Sequence, residues 1–419
     1  MTAREKFRRV MDGDTGVGSL KWEYAYWGAT LNRWYGEGLP RKRFVQRWGR
    51  RSTPTSSLYL AAYERNRGMV EAGILPDGLA VFGGGVYWPT QALPKDRDVE
   101  LHFGLDEGTE LADVNQLFSP LFDVRVLAED DQSFRYIDID GITRIYQKKE
   151  STLPTAIDWI VKDEKSWARL KEERLRPRAL AARFPSDWRD QVARYRDRTF
   201  PLALGGYPHG LFGTPSHLMG YENLFCGYYD NPRLIHDIAS TFTELWIAVW
   251  SEVLAQVEVD MVHIFEDVSM GTGSMISPSI FREFMLPYYR RLCDFLKAEG
   301  VPIILVDTDG DCSELIPLFL EAGVTGLYPM EVLGGLDVRK VRKDFPTLQM
   351  MGGVSKRSLS GTERDIDGEL RKVEDVLPHG RYIPFVDHSV PPSVSWQSFS
   401  SYRSRLNRLV EGALPAPVT

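Results

Sequence analysis

Apolar and polar positions along this chain follow two rhythms. From about residue 200 onward, short runs rich in Val, Ile, Leu, Phe and Met give way to stretches with apolar residues at helical spacing. That succession predicts repeated βα units and a parallel sheet. The strand candidates are FPLALGG (200–206), MVHIFED (261–267), PIILVDTDG (302–310), GLYPME (326–331), LQMMGG (348–353) and YIPFVDH (382–388). Between them, Asn231-Pro232 and Ser277-Pro278 each open a long helix, a capping side chain being followed by proline at the first helical position. Ser313 is expected to cap ELIPLFLEAG, which stops at Gly323, and residues 359–377 and 396–410 supply the last two helices.

Upstream, SLKWEYAYW (19–27) and GLAVFGG (78–84) have the same strand character and flank an expected helix at 57–73. Eight parallel strands, each followed by helical material, close a (β/α)8 barrel. The expected fold is therefore α/β, a TIM barrel forming a single domain over residues 1–419. Residues from about 85 to 198 break the rhythm. They contain hairpin-like alternation in VRVLAEDDQSFRYIDIDGITRIYQKK, with turn chemistry at Asp140-Gly141, and then a highly charged helical stretch. This is read as an antiparallel and helical insertion after the second strand, the alternative being a separate small domain.

Composition narrows the function. No apolar run approaches the roughly 20 residues of a membrane span, and MTAREKFRRVMDGD lacks the apolar stretch of a secretory signal. A soluble, cytoplasmic protein is expected. Three widely spaced cysteines, Cys226, Cys293 and Cys312, make neither a disulfide framework nor a CxxC zinc site. The net charge of −7 comes without a basic block, which argues against nucleic acid and leaves small molecules or proteins as partners. Aromatic residues make up 12% of the chain, enough to wall a pocket for a flat ligand or to support a homodimer.

In such a barrel the reacting groups sit at the C-terminal strand ends. The first strand carries Glu23 among Trp22, Tyr24 and Trp27; the third runs into Tyr207 and His209; the fourth carries His263, Glu266 and Asp267. The fifth carries Asp307, Asp309 and Asp311, the sixth Glu331, the seventh leads to Lys356 and Arg357, and the eighth ends in Asp387-His388. Any one acid reads most simply as a helix cap. Several converging carboxylates repel one another unless a cation, a shared proton or basic side chains compensate. The cluster is thus expected to hold a divalent metal, to keep a carboxyl protonated, or to bind a cationic substrate. Oxygen ligands with one imidazole suit Zn²⁺, Mn²⁺, Fe²⁺ or Mg²⁺. Lys356 and Arg357 are placed to bind a substrate carboxylate or phosphate. No nucleotide-binding glycine motif, GxSxG elbow or HExxH occurs.

The segments REKFRRVMDGD (4–14), NPRLIHDI, FEDVSMGTGSMISPSIFREFMLPYYRRL, VDTDGDCSELIPLFLEAGVTGLYPMEV, GGVSKRSL and GRYIPFVDHSVPPSVSW resemble the uroporphyrinogen decarboxylase superfamily, which includes the haem-pathway decarboxylase and corrinoid-dependent methyltransferases. The resemblance implies a TIM barrel. The decarboxylase's Arg-rich RQAGRY segment is replaced here by KWEYAYWGATLNRWYGEGLP, and GLAVFGGG ends without the expected Asp. Uroporphyrinogen itself is therefore a poor substrate candidate. The methyltransferase branch has a zinc site from a His-x-Cys pair and a late Cys. The matching positions here look like Asp307, Asp309 and Asp387, with His388 adjacent. Harder ligands favour an oxygen or amine substrate over a thiol. On this resemblance the chain is expected to move a methyl group from a small methoxylated or methylated-amine compound to a partner corrinoid protein. Glu266, Asp307, Asp309 and Glu331 would be catalytic, Asp307, Asp309, Asp387 and His388 would hold a metal, zinc among the candidates, and Trp22, Glu23, Tyr24, Trp27, His209, Lys356 and Arg357 would bind substrate. The alternatives are a metal-free decarboxylase or lyase for a small carboxylated substrate, and a non-catalytic ligand-binding protein.

Overall fold

The computed structural model describes residues 1–40, 98–123, 125–147 and 154–412. The helix expected at 57–73 and the strand at 78–84 lie outside these residues. Its strands in chain order are β1 (Glu110–Leu111), β2 (Arg125–Glu129), β3 (Ser133–Ile137), β4 (Thr143–Gln147), β5 (Thr155–Asp158), β6 (Leu202–Gly205), β7 (Met261–Phe265), β8 (Ser269–Met270), β9 (Gly273–Ser274), β10 (Ile304–Asp307), β11 (Gly326–Tyr328), β12 (Gln349–Val354) and β13 (Tyr382–Val386). Seven of them form one parallel sheet in the order β1-β6-β7-β10-β11-β12-β13. All six strands expected after residue 200 are present, in sequential order, as βα connections require. The architecture is a curled, TIM-barrel-like α/β fold.

Alternation along these strands separates two cores. Ala203, Met261, Leu305, Met351, Ile383 and Phe385 pack inside the curl with Trp22 and Tyr24, whereas Val262, Ile264, Ile304, Val306 and Val386 face the helices. The same parity carries His263 and Asp307 along the inner face, beyond Met261 and Leu305, toward the C-terminal mouth. At the other end, helix Ala3–Asp12 packs Phe7, Val10 and Met11 beneath the strand starts. There Arg4, Arg8 and Arg198 converge on Asp260, whose carboxylate is fully buried.

The stretch 19–27 fills the seam but is not a regular strand. It makes a parallel bridge at Tyr26–Val390, and the Val390 amide donates to Ala25 O at 2.8 Å. Where a neighbouring strand would offer a carbonyl to Val386, the Glu23 carboxylate accepts that amide instead, at 2.7 Å. On its other side Asp106 N donates to Lys21 O and Trp22 Nε1 to Glu107 O. The sheet position beside β6 belongs to β1, a stretch that the sequence pattern assigns to the insertion. Between β1 and β6 lies the antiparallel sheet β2-β3-β4-β5, with β3 and β4 joined by the expected Asp140-Gly141 turn.

Helix Pro232–Leu254 begins where the capping signal places it, behind Asn231, and Trp396–Glu411 occupies the expected span, capped by Ser395. The second helix starts at Ser277 as expected, then widens into a π turn over Phe281–Met285 before Leu286–Ala298. The cap expected at Ser313 does not form. Its amide donates to Asp311 Oδ1 at 3.0 Å, and the helix begins at Ile316, with Pro317 in its first turn. No helix among the described residues is long and apolar enough to cross a membrane.

Candidate functional site

The C-terminal ends of the strands open into a cavity of about 370 Å³. Asp267, Asp307, Asp309 and His388 line it with Tyr24, and β4, β5 and their flanks cover it with Ile142, Arg144, Ala156 and Trp159. Tyr207, His217, Tyr221 and Phe265 form a further part of its wall. The antiparallel sheet β2–β5 is therefore the roof of the site.

Asp307 ends β10 in full burial, and its Oδ2 lies 2.8 Å from His263 Nε2. Burial, reinforced by the charge of Asp309, holds the Asp307 carboxyl well above the usual carboxylate range. Burial also pushes His263 down to about 3. Burial thus disfavours charge on both partners of this contact, and the Tyr328 hydroxyl stands 2.8 Å from His263 Nε2 and 3.0 Å from Nδ1. Asp309 pairs with His388, Nε2 to Oδ2 at 3.3 Å. Its other oxygen is buried without a hydrogen-bond partner among the described residues. Burial works against a charge on His388, but Asp309 outweighs it and raises the imidazole's pKa.

Asp267 adds a third acid. Burial first, then Asp309 and Asp307, push it up to about 7. Its φ of 48° is left-handed, an unfavourable region for a side chain with a Cβ, and the Asp267 amide donates to Asp307 O at 3.2 Å. Strain at a residue lining a cavity is a recurring mark of function. Asp267 is named among the strand-end acids of the sequence but is absent from the residues expected to act there.

The other expected residues have local duties. Glu266 is fully buried off the cavity, accepting the amides of Leu211, Phe212 and Gly213 at 2.6–2.8 Å and the Tyr289 hydroxyl. It ties the loop after β6 to the end of β7. Gly210 in that loop lies so close to Phe265 O that a Cβ would sit 1.9 Å from it. Glu331 accepts from Gly310 N and from Lys356 Nζ at 3.0 Å, so Lys356 is committed to an ion pair. Arg357 is exposed, away from the cavity wall. Asp387 accepts the amides of Lys356 at 2.9 Å and Val332 at 3.0 Å, one on each oxygen. Glu23 pairs with Arg403 in full burial, Trp22 packs on Phe7, and Trp27 precedes helix Gly28–Glu37. His209 is buried with Nδ1 on Gly206 O, and burial lowers it to about 4.

Of the expected metal ligands, Asp307, Asp309 and His388 come together, whereas Asp387 turns to backbone amides. Among the described residues no three His, Cys, Asp or Glu side chains are grouped to hold a metal ion. The donor set as arranged does not fit a divalent cation, because the His388 nitrogen is turned to Asp309 and Asp307 Oδ2 is turned to His263. What the arrangement supplies is two carboxyls, Asp307 and Asp267, whose hold on a proton burial strengthens, next to Asp309 with a spare acceptor.

Comparison with known proteins gives a family. Residues 190–402 match the family model described as uroporphyrinogen decarboxylase (URO-D). The uroporphyrinogen decarboxylase of Sulfurimonas denitrificans is 24% identical over 185 residues, 43% of this chain and 50% of that protein. That of Chlorobium luteolum is 29% identical over 149 residues, 35% of this chain and 39% of that protein. The chain thus spans about half or less of the length of the curated relatives it matches. Among solved structures, a methyltransferase from Methanosarcina mazei aligns over 62% of this chain and 74% of its own, with 17% identity and a TM-score of 0.43. From the match over 190–402, the chain belongs to the uroporphyrinogen decarboxylase (URO-D) family.

Proposed function

We propose that this protein is a metal-free lyase that decarboxylates a small carboxylated ring compound, with Asp307 as the proton donor. The observation carrying this reading is the buried Asp307–His263 contact at the cavity floor, where burial strengthens the acid's hold on its proton and weakens that of the base. If His263 donates Nε2–H to Oδ2, the acid's own proton stays on the other oxygen of Asp307, available to substrate. A carboxylic acid kept protonated at neutral pH by burial is a strong general acid.

His388 and Asp309 offset each other, and burial favours the protonated forms of Asp307 and Asp267, which lowers the repulsion that an entering carboxylate meets. Tyr24, Trp159, Tyr221 and Phe265 offer ring faces for a conjugated substrate. When the bond to the carboxylate breaks, CO₂ leaves and the electron pair stays on the ring carbon, where the Asp307 proton completes the product. The unpartnered Asp309 oxygen is placed to accept a substrate N–H or O–H.

The same donor supports a second reading, methyl transfer from a methoxylated or methylated-amine compound to a partner corrinoid protein. There the Asp307 proton would go to the departing oxygen or nitrogen.

The test is a panel of small aromatic and heteroaromatic carboxylates incubated with the purified chain in D₂O, with CO₂ release and deuterium at the product carbon both measured. Turnover insensitive to EDTA, falling by about 10²–10⁴ in Asp307→Asn, is expected. Loss of turnover on chelation, or an Asp307→Asn variant as active as wild type, would overturn the reading. Turnover of methoxylated compounds only with an added corrinoid protein would favour the second.

A further inference from the structure

The roof brings a second set of ionisable groups into the cavity wall. The His217 imidazole bridges two of them: Nε2 lies 2.7 Å from Asp140 Oδ2, and Nδ1 lies 2.7 Å from the Tyr207 hydroxyl. Asp140 sits in the β3–β4 turn and is almost fully buried. Arg144 donates to both of its oxygens, at 2.8 and 2.6 Å, the Ile142 amide donates to Oδ1 at 3.0 Å, and Asp138 stands 3.2 Å from the same guanidinium. Arg144, Tyr207 and His217 all line the cavity. Asp140 and Arg144 lie outside the matched stretch 190–402.

The geometry sets the direction of each bond. A carboxylate clamped by a guanidinium stays ionised and accepts only, so Nε2 of His217 must carry the proton shared with it. Arg144 and His217 hold Asp140 far below the usual carboxylate range against the upward pull of burial. The lone pair of His217 is then on Nδ1, facing the Tyr207 O–H. This is the arrangement by which a carboxylate orients an imidazole toward a hydroxyl in nucleophilic and general-base catalysis.

We propose that Asp140, His217 and Tyr207 form a proton relay in which Tyr207 is a catalytic base of this cavity, for a substrate bearing an acidic O–H or N–H. The substrate proton passes to the tyrosyl oxygen as the tyrosyl proton passes to Nδ1 of His217. The resulting imidazolium keeps its Nε2–H on Asp140, and the positive charge gained by His217 balances the negative charge left on the substrate. Arg144 is a positioning residue, fixing Asp140 in its ionised, bidentate pose. The relay rests on the acid–base reading of the cavity and gives it a base on the roof side to complement the acid on the floor. For a ring carboxylate, removing a ring N–H or O–H proton redistributes charge toward the carbon that Asp307 protonates.

Two measurements on the full chain test the relay without the lyase substrate. The first is histidine ¹⁵N NMR of the wild type at pH 7.5, with the His217 ring assigned through its own backbone resonances. A protonated Nε2 and an unprotonated Nδ1 are expected; the opposite tautomer, or an imidazolium, would overturn the relay. The second is labelling by an aryl sulfonyl fluoride, read by peptide mass spectrometry. The tyrosyl oxygen displaces fluoride at sulfur as His217 takes the proton. Modification of Tyr207 is expected to slow by at least about tenfold in His217→Gln and in Asp140→Asn. A Tyr207 rate in folded His217→Gln within twofold of wild type would overturn it. Because the NMR measurement is made on the wild type, it decides the matter even if both variants unfold. An absence of decarboxylation with normal Tyr207 labelling would remove the lyase reading and leave the relay standing.

Discussion

Oδ2 of Asp307 lies 2.8 Å from Nε2 of His263, and burial disfavours charge on both. It moves the two groups in opposite directions, the acid up and the base down, which favours a hydrogen bond between neutral groups over an ion pair. Histidine NMR should show His263 neutral from pH 8 to pH 5, titrating only near 3. An imidazolium signal for His263 at pH 6 would contradict this. Asp307→Asn, which preserves a neutral partner, should unfold within about 1 kcal/mol of wild type while losing turnover.

His388 should behave in the opposite way. Its attachment to Asp309 raises it above 6.5. Stability from this pair is fully present below pH 6.5 and is lost as pH rises through the folded value. In Asp309→Asn the NMR titration of His388 should move to lower pH. An unmoved titration would show that Asp309 is not what holds the charge.

Asp267 predicts a stability that falls as pH rises from about 4 to 7. Its folded value of about 7 exceeds the ordinary 3.8, so the folded chain holds a proton that the unfolded chain releases. Between those two values each rise in pH costs the fold stability. Asp267→Asn should remove that slope and gain on the order of 4 kcal/mol at pH 8 relative to pH 4. Denaturant melts at the two pH values measure it; parallel wild-type and variant slopes would refute it.

Glu23 and Arg403 are both fully buried at the seam, where Glu23 also accepts the Val386 amide. Glu23→Ala strands a buried guanidinium and an amide, and should cost about 3–5 kcal/mol. If Glu23 bound substrate instead, Glu23→Ala would raise KM with an unchanged melting temperature. The melt is expected to fall.

Gly210→Ala should act on Glu266 without touching it. A Cβ there would meet Phe265 O and stand 2.7 Å from Glu266 Oε2, pushing the loop off the carboxylate that holds it. Faster amide exchange at Leu211, Phe212 and Gly213 is the expected signature, and unchanged exchange would count against the cradle.

The strands after residue 200 were legible because each is a buried run whose ends are marked by helix caps and glycines. The seam at 19–27 reads as a strand because its residues are apolar and aromatic. Its pairing depends on a carboxylate standing in for a carbonyl, which no periodicity reveals. Among the acids, position at a strand end identified Asp307, Asp309 and His388 but could not separate them from Glu266, Glu331 and Asp387. All six are ionisable groups in similar places, and only their partners in the fold tell which are consumed. Asp140 looked like turn chemistry and is that too; its contact with His217 spans 77 positions of sequence. Such a contact leaves no local trace.

The roof of the cavity has a consequence for how this chain could diversify. Its sheet is hydrogen-bonded within itself, β2 through β5, and shares no ladder with the barrel strands that hold Asp307, Asp309 and His388. Mutations on β5 therefore reshape what fits above the acids without shifting the hydrogen bonds of the floor. The floor acids and the fit of the roof can drift at different speeds, so long as Asp140 and Arg144 keep the contacts that tie the roof to His217.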